Sequence, residues 1–279
     1  MNHTGDSRRI LEHNAAAHDQ VAGSYDEKHV EIFNPVEQRR LARTMTDLLA
    51  LAGRPAPEVL DVGAGTGNLS LRFLASGCRV CAADVSTRSL EQLARKVPKG
   101  SPISVSVITG DELSFPDASF DIVATYSVLH HVPDYLLTVR EMVRVLRPGG
   151  LVYIDHESSD AAWSNDSVLE EYRAMNRVPP WEHLWNLMRT GEAFTPAFAK
   201  TVFMKTFVDR RYEREGDMHV WPDDHIEWDK IAAVFEEAGA RIVRSEEYLH
   251  FRPRGGEALY GRYRDRCSDM KYVFARKRG

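Results

Sequence analysis

From Glu58 onward the chain alternates short apolar runs with segments of helical periodicity, the pattern of a parallel sheet whose strands are joined by crossover helices. The apolar runs fall at 58–62, 79–84, 103–109, 120–125 and 151–155, each of strand length and too short for a buried helix. Helical patterns occupy 68–75, 87–97 and 135–146, and the last is stopped by Arg147-Pro148-Gly149-Gly150, because proline and paired glycines end helices. After Asp155 the alternation lapses for about seventy residues, a stretch that holds Trp163, Trp181, Trp185 and Trp221 together with Phe194, Phe198, Phe203 and Phe207. It resumes with a helix at 226–238, whose exit at Gly239 has the character of a C-cap, and with strands at 241–248 and 271–275. Ahead of the first run lie a polar, partly helical leader and an amphipathic helix at 36–51 closed by Gly53 and Pro55. The pattern predicts an α/β fold in four parts: a helical leader or cap at 1–53, a core at 54–156, an aromatic-rich helical insertion at 157–225, and the rest of the core at 226–279.

Composition narrows the partners. With 36 basic and 41 acidic residues among 279, the formal charge of −5 offers no summed positive field to hold a phosphate backbone, so nucleic acid is not expected as a partner. No segment reaches the roughly 18 apolar residues of a membrane span, and no cationic stretch followed by an apolar run opens the chain, which predicts a cytoplasmic protein without a membrane partner. Cys78 and Cys81 form a C-x-x-C at the start of a strand, where no helix dipole lowers a thiol pKa, and are read as small core side chains. The cluster from His219 to His225 has metal-ligating types but no common ligand spacing, and Asp223 or Asp224 suits the N-cap of the next helix; no metal centre is expected.

The sharpest signal is Asp61-Val62-Gly63-Ala64-Gly65-Thr66-Gly67-Asn68, set between one buried strand and a helix. Glycine lets backbone N–H groups approach a ligand, and the helix N-terminus favours a carboxylate or phosphate. Asp84 ends the second strand 23 positions after Asp61, where a carboxylate can accept the hydroxyl protons of a ribose. Two adenine-nucleotide cofactors compete for this geometry. A dinucleotide fingerprint would want G-x-G-x-x-G, whereas here the third glycine falls one residue early, at Gly67. An anion at Asp61 suits the α-ammonium of a methionine moiety better than a pyrophosphate.

At these residues the chain resembles the class I S-adenosylmethionine-dependent methyltransferases, in particular the group that includes the ubiquinone and menaquinone methyltransferases. The resemblance covers roughly 19–152 and, more loosely, the C-terminal strand pair. It implies a Rossmann-like, doubly wound sheet of seven strands, mostly parallel with the last antiparallel, helices on both faces, and S-adenosylmethionine as cofactor. It further implies that Asp61, Gly63, Ala64, Gly65 and Gly67 hold the methionine end, that Asp84 binds the ribose with Val85 beside the adenine, and that the run from Gly110 to Asp121 sets Asp111, with Glu112 and Leu113, near the adenine amino group. Tyr126 and Ser127, at the carboxyl end of the fourth strand, join the cofactor set. Leu129-His130-His131-Val132 and Leu146-Arg147-Pro148-Gly149-Gly150 match two further motifs of that group.

Methyl transfer from a sulfonium is an in-line displacement, so alignment and exclusion of water can supply most of the acceleration. A base is needed only where the nucleophile keeps a proton. Candidates lie beyond strands four and five: His130 and His131, and His156 within Asp155-His156-Glu157, with His131 and His156 foremost. Tyr25 matches an A-x-x-Y-D of a leader that folds over the cofactor in the resembled group. The insertion reads as a lid building an acceptor pocket, or as a surface that packs against a second copy in a homodimer. The expected reaction is methyl transfer to an oxygen, nitrogen or carbon of a small-molecule acceptor. The alternatives are a nicotinamide-dependent oxidoreductase and a cofactor-binding partner protein without turnover.

Overall fold

The computed structural model of the protein describes residues 3–109, 112–212 and 216–279. Seven strands form one sheet: β1 Glu58–Val62, β2 Arg79–Asp84, β3 Ile103–Val107, β4 Phe120–Tyr126, β5 Leu146–Ser158, β6 Ala240–Tyr248 and β7 Met270–Lys277. Their spatial order is β3-β2-β1-β4-β5-β7-β6, with the first five parallel and β7 antiparallel to both β5 and β6. The adjacent pair β1 and β4 is where the strand order reverses, so a crevice opens beyond their carboxyl ends.

The helices are α1 His3–Val21, α2 Tyr25–Lys28, α3 Pro35–Ala52, α4 Ser70–Ala75, α5 Thr87–Lys96, α6 Tyr135–Val145, α7 Ser167–Asn176, α8 Pro180–Arg189, α9 Pro196–Phe203, α10 Trp228–Glu237 and α11 Gly256–Tyr263. Local chemistry explains several starts and stops. The Asn34 side chain accepts from Glu37 N with proline at the first helical position of α3, Gly53 ends that helix with φ 61°, and Ser86 and Asp134 cap α5 and α6.

The central strands are buried on both faces, and their residues alternate between two cores. Leu60, Val123, Val152 and Ile154 pack with α6 and α10 through Val139, Met142, Ile231 and Phe235. Val59, Ile122, Ala124, Leu151 and Tyr153 pack with α3 and α4 through Leu41, Leu48, Leu69 and Phe73. This two-sided burial is why these runs are nearly continuous in apolar residues. Cys78 is buried in the second core, Cys81 packs against the first, and both thiols are free.

Within the insertion, α7 joins a third core with Leu249, Leu259 and Tyr263. Beyond it, none of the described residues between 177 and 212 is buried. A two-stranded ribbon, Val220–Trp221 with Asp224–His225, closes the insertion and corrects one expectation: Asp223 pairs with Arg211 and Asp224 with His219, while α10 starts at Trp228 and Glu227, at its N-cap, makes no side-chain cap bond. No helix among the described residues is long and apolar enough to cross a membrane.

Candidate active site

The loop from β1 to α4 folds back on β2, with Gly63 N and Ala64 N both donating to Ala83 O at 2.8 and 3.0 Å. Gly63, Gly65 and Gly67 all have positive φ, at 70°, 53° and 102°. They differ in what a side chain would meet. A Cβ on Gly63 would strike Val128, one on Gly67 would strike Leu93 of α5, and one on Gly65 would point into open space. Gly65 therefore presents bare backbone to the crevice, whereas Gly67 serves the packing of α5.

Two hollows share walls here. The larger spans about 820 Å³, including space open to solvent, and is lined by Val62, Gly63, Gly65, Asp84, Val85, Ile108, Leu113, Tyr126, Ser127, Val128, His131 and Val132, with Leu11, Asn14, His18 and Tyr25 from the leader. The smaller, about 360 Å³, includes Asp61, Ala64, Thr66 and Asn68, and shares Tyr25, Gly63, Gly65 and Tyr126 with its neighbour. Both open at the carboxyl ends of β1, β2 and β4, as the switch point dictates.

Two buried carboxylates dominate the electrostatics. Asp61 is 1 % exposed and accepts from Ser70 Oγ at 2.6 Å. Burial, with the nearby charge of Asp84, pushes its pKa up to about 7 despite that hydrogen bond. Among the described residues no cation pairs with it, so a ligand ammonium would complement it. Asp84 accepts from Gly65 N and Ser86 N, each at 2.7 Å, and burial also raises its pKa. The backbone donors fix the carboxylate beside the glycine loop and leave lone pairs for hydroxyl donors. An ammonium site, a hydroxyl-accepting carboxylate and an apolar slot of Val85, Ile108 and Leu113 together fit an amino-acid-bearing adenosine.

The leader is latched over this crevice in a way no local sequence signal announces. Asp19 accepts from Ser86 Oγ and Arg88 N, and Asp26 accepts from Thr66 Oγ1 and pairs with Lys96. Tyr25 lies between the two hollows, its ring 4.0 Å from that of His29. On the opposite wall, Arg144 donates to Leu113 O and Phe115 O and pairs with Asp117 and Glu141, which braces the loop carrying Leu113. Glu112 is exposed and absent from the crevice wall, and Asp111 lies outside the described residues.

The candidate histidines part company. His131 lines the larger hollow, and burial, helped by His130 and His18, holds its pKa well below the ordinary imidazole range. His130 turns away from the hollow, its Nδ1 2.8 Å from Glu157 Oε2. Burial alone would lower its pKa, but Glu157 and Asp217 outweigh burial and raise it. Contrary to the sequence expectation, His156 does not face the crevice. It is 4 % exposed and sits in a network behind the sheet end, with Nδ1 3.1 Å from both Tyr126 Oη and Tyr248 Oη and 3.7 Å from Glu37. The reason is a register shift in β5 between Ile154 and Glu157, where His156 takes φ 62° and the strand alternation breaks. Glu157 is thereby carried under the Leu129–His131 turn, where Oε1 accepts from Val128 N and Leu129 N at 2.8 Å.

Known proteins are similar to this chain in sequence and in fold. Residues 60–154 match the family described as Methyltransferase domain. A demethylmenaquinone methyltransferase from Beutenbergia cavernae is 31% identical over 231 residues, spanning 80% of this chain and 83% of that protein. Among solved structures, a chain from the Haloferax volcanii complex of a methyltransferase activator with a methyltransferase superposes with a TM-score of 0.57 at 17% identity, covering 94% of this chain and 98% of that one. The 1,6-didemethyltoxoflavin-N1-methyltransferase of Burkholderia thailandensis, solved with its substrate and S-adenosylhomocysteine, superposes at 0.54 with 20% identity, covering 95% and 88%. The cofactor is S-adenosylmethionine and the acceptor a small molecule, and the chain belongs to the class I S-adenosylmethionine-dependent methyltransferases.

Proposed function

We propose that Asp61 and the Gly63–Gly67 loop, with Ala64, hold the amino-acid end of the cofactor, that Asp84 holds its ribose, and that Val85, Ile108 and Leu113 flank its adenine. Asp111 and Glu112 stay assigned to the adenine rim, and Tyr126 and Ser127 to the floor near the sulfonium. The observation that carries this reading is the buried, unpaired Asp61 beside the open face of Gly65. When bound, S-adenosylmethionine supplies an electrophilic methyl group on a leaving group that needs no further activation. The protein's part is to align and to exclude water, with Tyr25 closing the leader side and His131 facing the acceptor's nucleophilic atom. His156 acts as a positioning residue, holding Tyr126 in the crevice wall, and His130 braces His131. Asp84→Ala removes a charged acceptor of two ribose hydroxyls, so its affinity for S-adenosylhomocysteine by titration calorimetry is expected to fall ten- to a hundredfold, roughly 1.5–3 kcal/mol. Unchanged affinity would overturn the assignment.

For the acceptor we propose a quinol-type aromatic, by similarity to the Beutenbergia cavernae relative and because the acceptor end is walled by Val128 and Val132. Transfer of a labelled methyl group to a short-chain demethylnaphthoquinol under reducing conditions tests it. Retained S-adenosylhomocysteine binding without transfer to that acceptor would sink the acceptor class and leave the cofactor site standing.

We further propose that the four sequence-derived parts act as leader cap, cofactor core, insertion and C-terminal core, in a cytoplasmic protein without nucleic-acid partners. The free state of all three cysteines supports a reducing compartment. The insertion carries Trp181, Trp185, Phe194 and Phe207 at 71, 61, 79 and 75 % exposure, a concentration of exposed aromatic rings that supports homodimerisation through this arm. Sedimentation should show a dimer for the wild type and a monomer for Trp185→Asp/Phe207→Asp; a monomeric wild type would overturn the proposal.

A further inference from the structure

We propose that His130, His131 and Asp217 form a binding site for one divalent first-row transition-metal ion at the acceptor end of the crevice. The proposal rests on the cofactor reading only for its function; the site itself stands on geometry. The Leu129–His131 turn presents two consecutive imidazoles. The segment after the arm is laced to that turn, with Met218 N and His219 N donating to His130 O at 2.9 and 3.3 Å, and this brings Asp217 from 86 positions away to face both rings. Asp217 Oδ1 lies 3.2 Å from His131 Nδ1 and 4.0 Å from His130 Nε2, and one donor atom from each of the three residues lies within 4.8 Å of the others. Ligands on a tetrahedral ion with bonds of about 2.0–2.1 Å stand roughly 3.3 Å apart, so modest side-chain adjustment closes the cluster on an ion.

Three features set this apart from a chance gathering of polar groups. Glu157, 1 % exposed and pinned by Val128 N and Leu129 N, accepts from Nδ1 of His130, and in the neutral ring that tautomer carries its lone pair on Nε2, toward Asp217. A carboxylate behind a ligating imidazole is the usual support of a metal site, fixing tautomer and ring plane together. His131 Nδ1 is buried without a well-aligned hydrogen bond, its contact with Asp217 being close but off the hydrogen-bonding direction, and the Gly216 backbone approaches the same ring. Finally, Asn14, 3 % exposed, donates to His131 O at 2.7 Å and keeps its Oδ1 buried and unpartnered against Gly216, next to Asp217.

Two imidazoles and one carboxylate favour Zn²⁺, Fe²⁺, Co²⁺ or Ni²⁺ over Mg²⁺ or Ca²⁺, and three protein ligands leave coordination positions open. Because His131 also lines the crevice, the ion would lie against the crevice wall, with its open positions available to an acceptor that reaches it. A hydroxyl acceptor bound there would lose its proton to solvent and meet the methyl group as an oxyanion, with no protein base required.

The test uses untagged full-length protein, stripped with chelator and free of cofactor, titrated with Co²⁺ by visible absorption and with Zn²⁺ by calorimetry. One ion per chain is expected, with affinity at least tenfold weaker in Asp217→Asn and in His131→Gln. Asp217 is part-exposed, so its variant should keep the wild-type melting temperature and S-adenosylhomocysteine affinity. Absence of a cobalt spectrum and of zinc heat overturns the proposal, as does binding that survives both substitutions. Loss of S-adenosylhomocysteine binding in the wild type would strike the cofactor reading and leave the metal result to stand by itself.

Discussion

Replacing Arg40 by methionine is expected to cost about 3–5 kcal/mol of folding stability at pH 8, because it removes the guanidinium that two buried carboxylates share. Arg40 reaches from α3 to both of them, donating through Nε to Glu37 at 3.0 Å and through Nη2 to Asp155 at 2.9 Å, while its guanidinium lies 3.9 Å from the centre of the Tyr248 ring. Glu37 and Asp155 side chains are 2 % and 0 % exposed. Tyr126 donates to Glu37 at 2.8 Å, and Tyr248 and Tyr153 donate to Asp155, so the remaining lone pairs are satisfied. Burial alone would raise the Glu37 pKa, yet His156 and Arg40 hold it well below the usual carboxylate range. A depressed carboxyl contributes stability that is present above its unfolded pKa and is lost as pH falls through the folded one. Without Arg40 only His156 opposes the burial of Glu37, and the variant's deficit is expected to shrink between pH 8 and pH 5 as the Glu37 carboxyl takes up a proton. Urea midpoints at the two pH values read this directly. An equal deficit at both, or a loss under about 1 kcal/mol, would show that Arg40 is not the neutralising group.

That network marks where sequence reading reached its limit. The strands around Val59, Ile122 and Val152 were legible because both faces are buried and apolar residues dominate each run. Asp61 and the glycine turn were legible because a loop that must bring backbone close to a ligand tolerates few other residues. Arg40 and Asp155, by contrast, stand 115 positions apart, and no periodicity marks a salt bridge between a helix and a strand end. His156 follows the predicted strand end at Asp155 and so reads as a crevice residue, yet the strand runs on to Ser158 through a register shift that nothing local signals. The run Leu146 to Gly150 reads as a break, yet Leu146 already pairs with Phe120 before the strand resumes at Leu151. Asp217 escaped notice because it reaches the histidines only through the backbone bonds that fasten the insertion to the Leu129–His131 turn. The aromatic residues of the arm suggest a core by composition alone, whereas Trp185 and Phe207 face solvent.

Asp61→Asn is expected to make the ligand-free protein more stable at pH 8 while weakening its grip on S-adenosylhomocysteine about a hundredfold. The wild-type carboxyl has its pKa raised from 3.8 to about 7. Between those values the folded state binds more protons than the unfolded chain, so the wild type is most stable below the ordinary carboxylate pKa and loses stability as pH rises through about 7. At 1.36 kcal/mol per unit that loss is bounded near 4 kcal/mol, and an amide, which keeps the acceptor for Ser70 but carries no charge, should recover about 1–3 kcal/mol of it. The melting temperature at pH 8 should therefore rise by several degrees, and the gain should shrink to roughly a third at pH 5, where the folded carboxyl is neutral but the unfolded one is already ionised. Binding moves the other way, because an ammonium set against a buried amide forfeits a charge-assisted contact. Wild-type affinity should itself weaken toward tenfold per unit as pH falls below 7, while that of the variant stays flat. A variant destabilised at pH 8 with unchanged affinity would mean that the Asp61 charge is compensated within the protein, and that its place at the mouth of the glycine turn serves folding rather than the ligand.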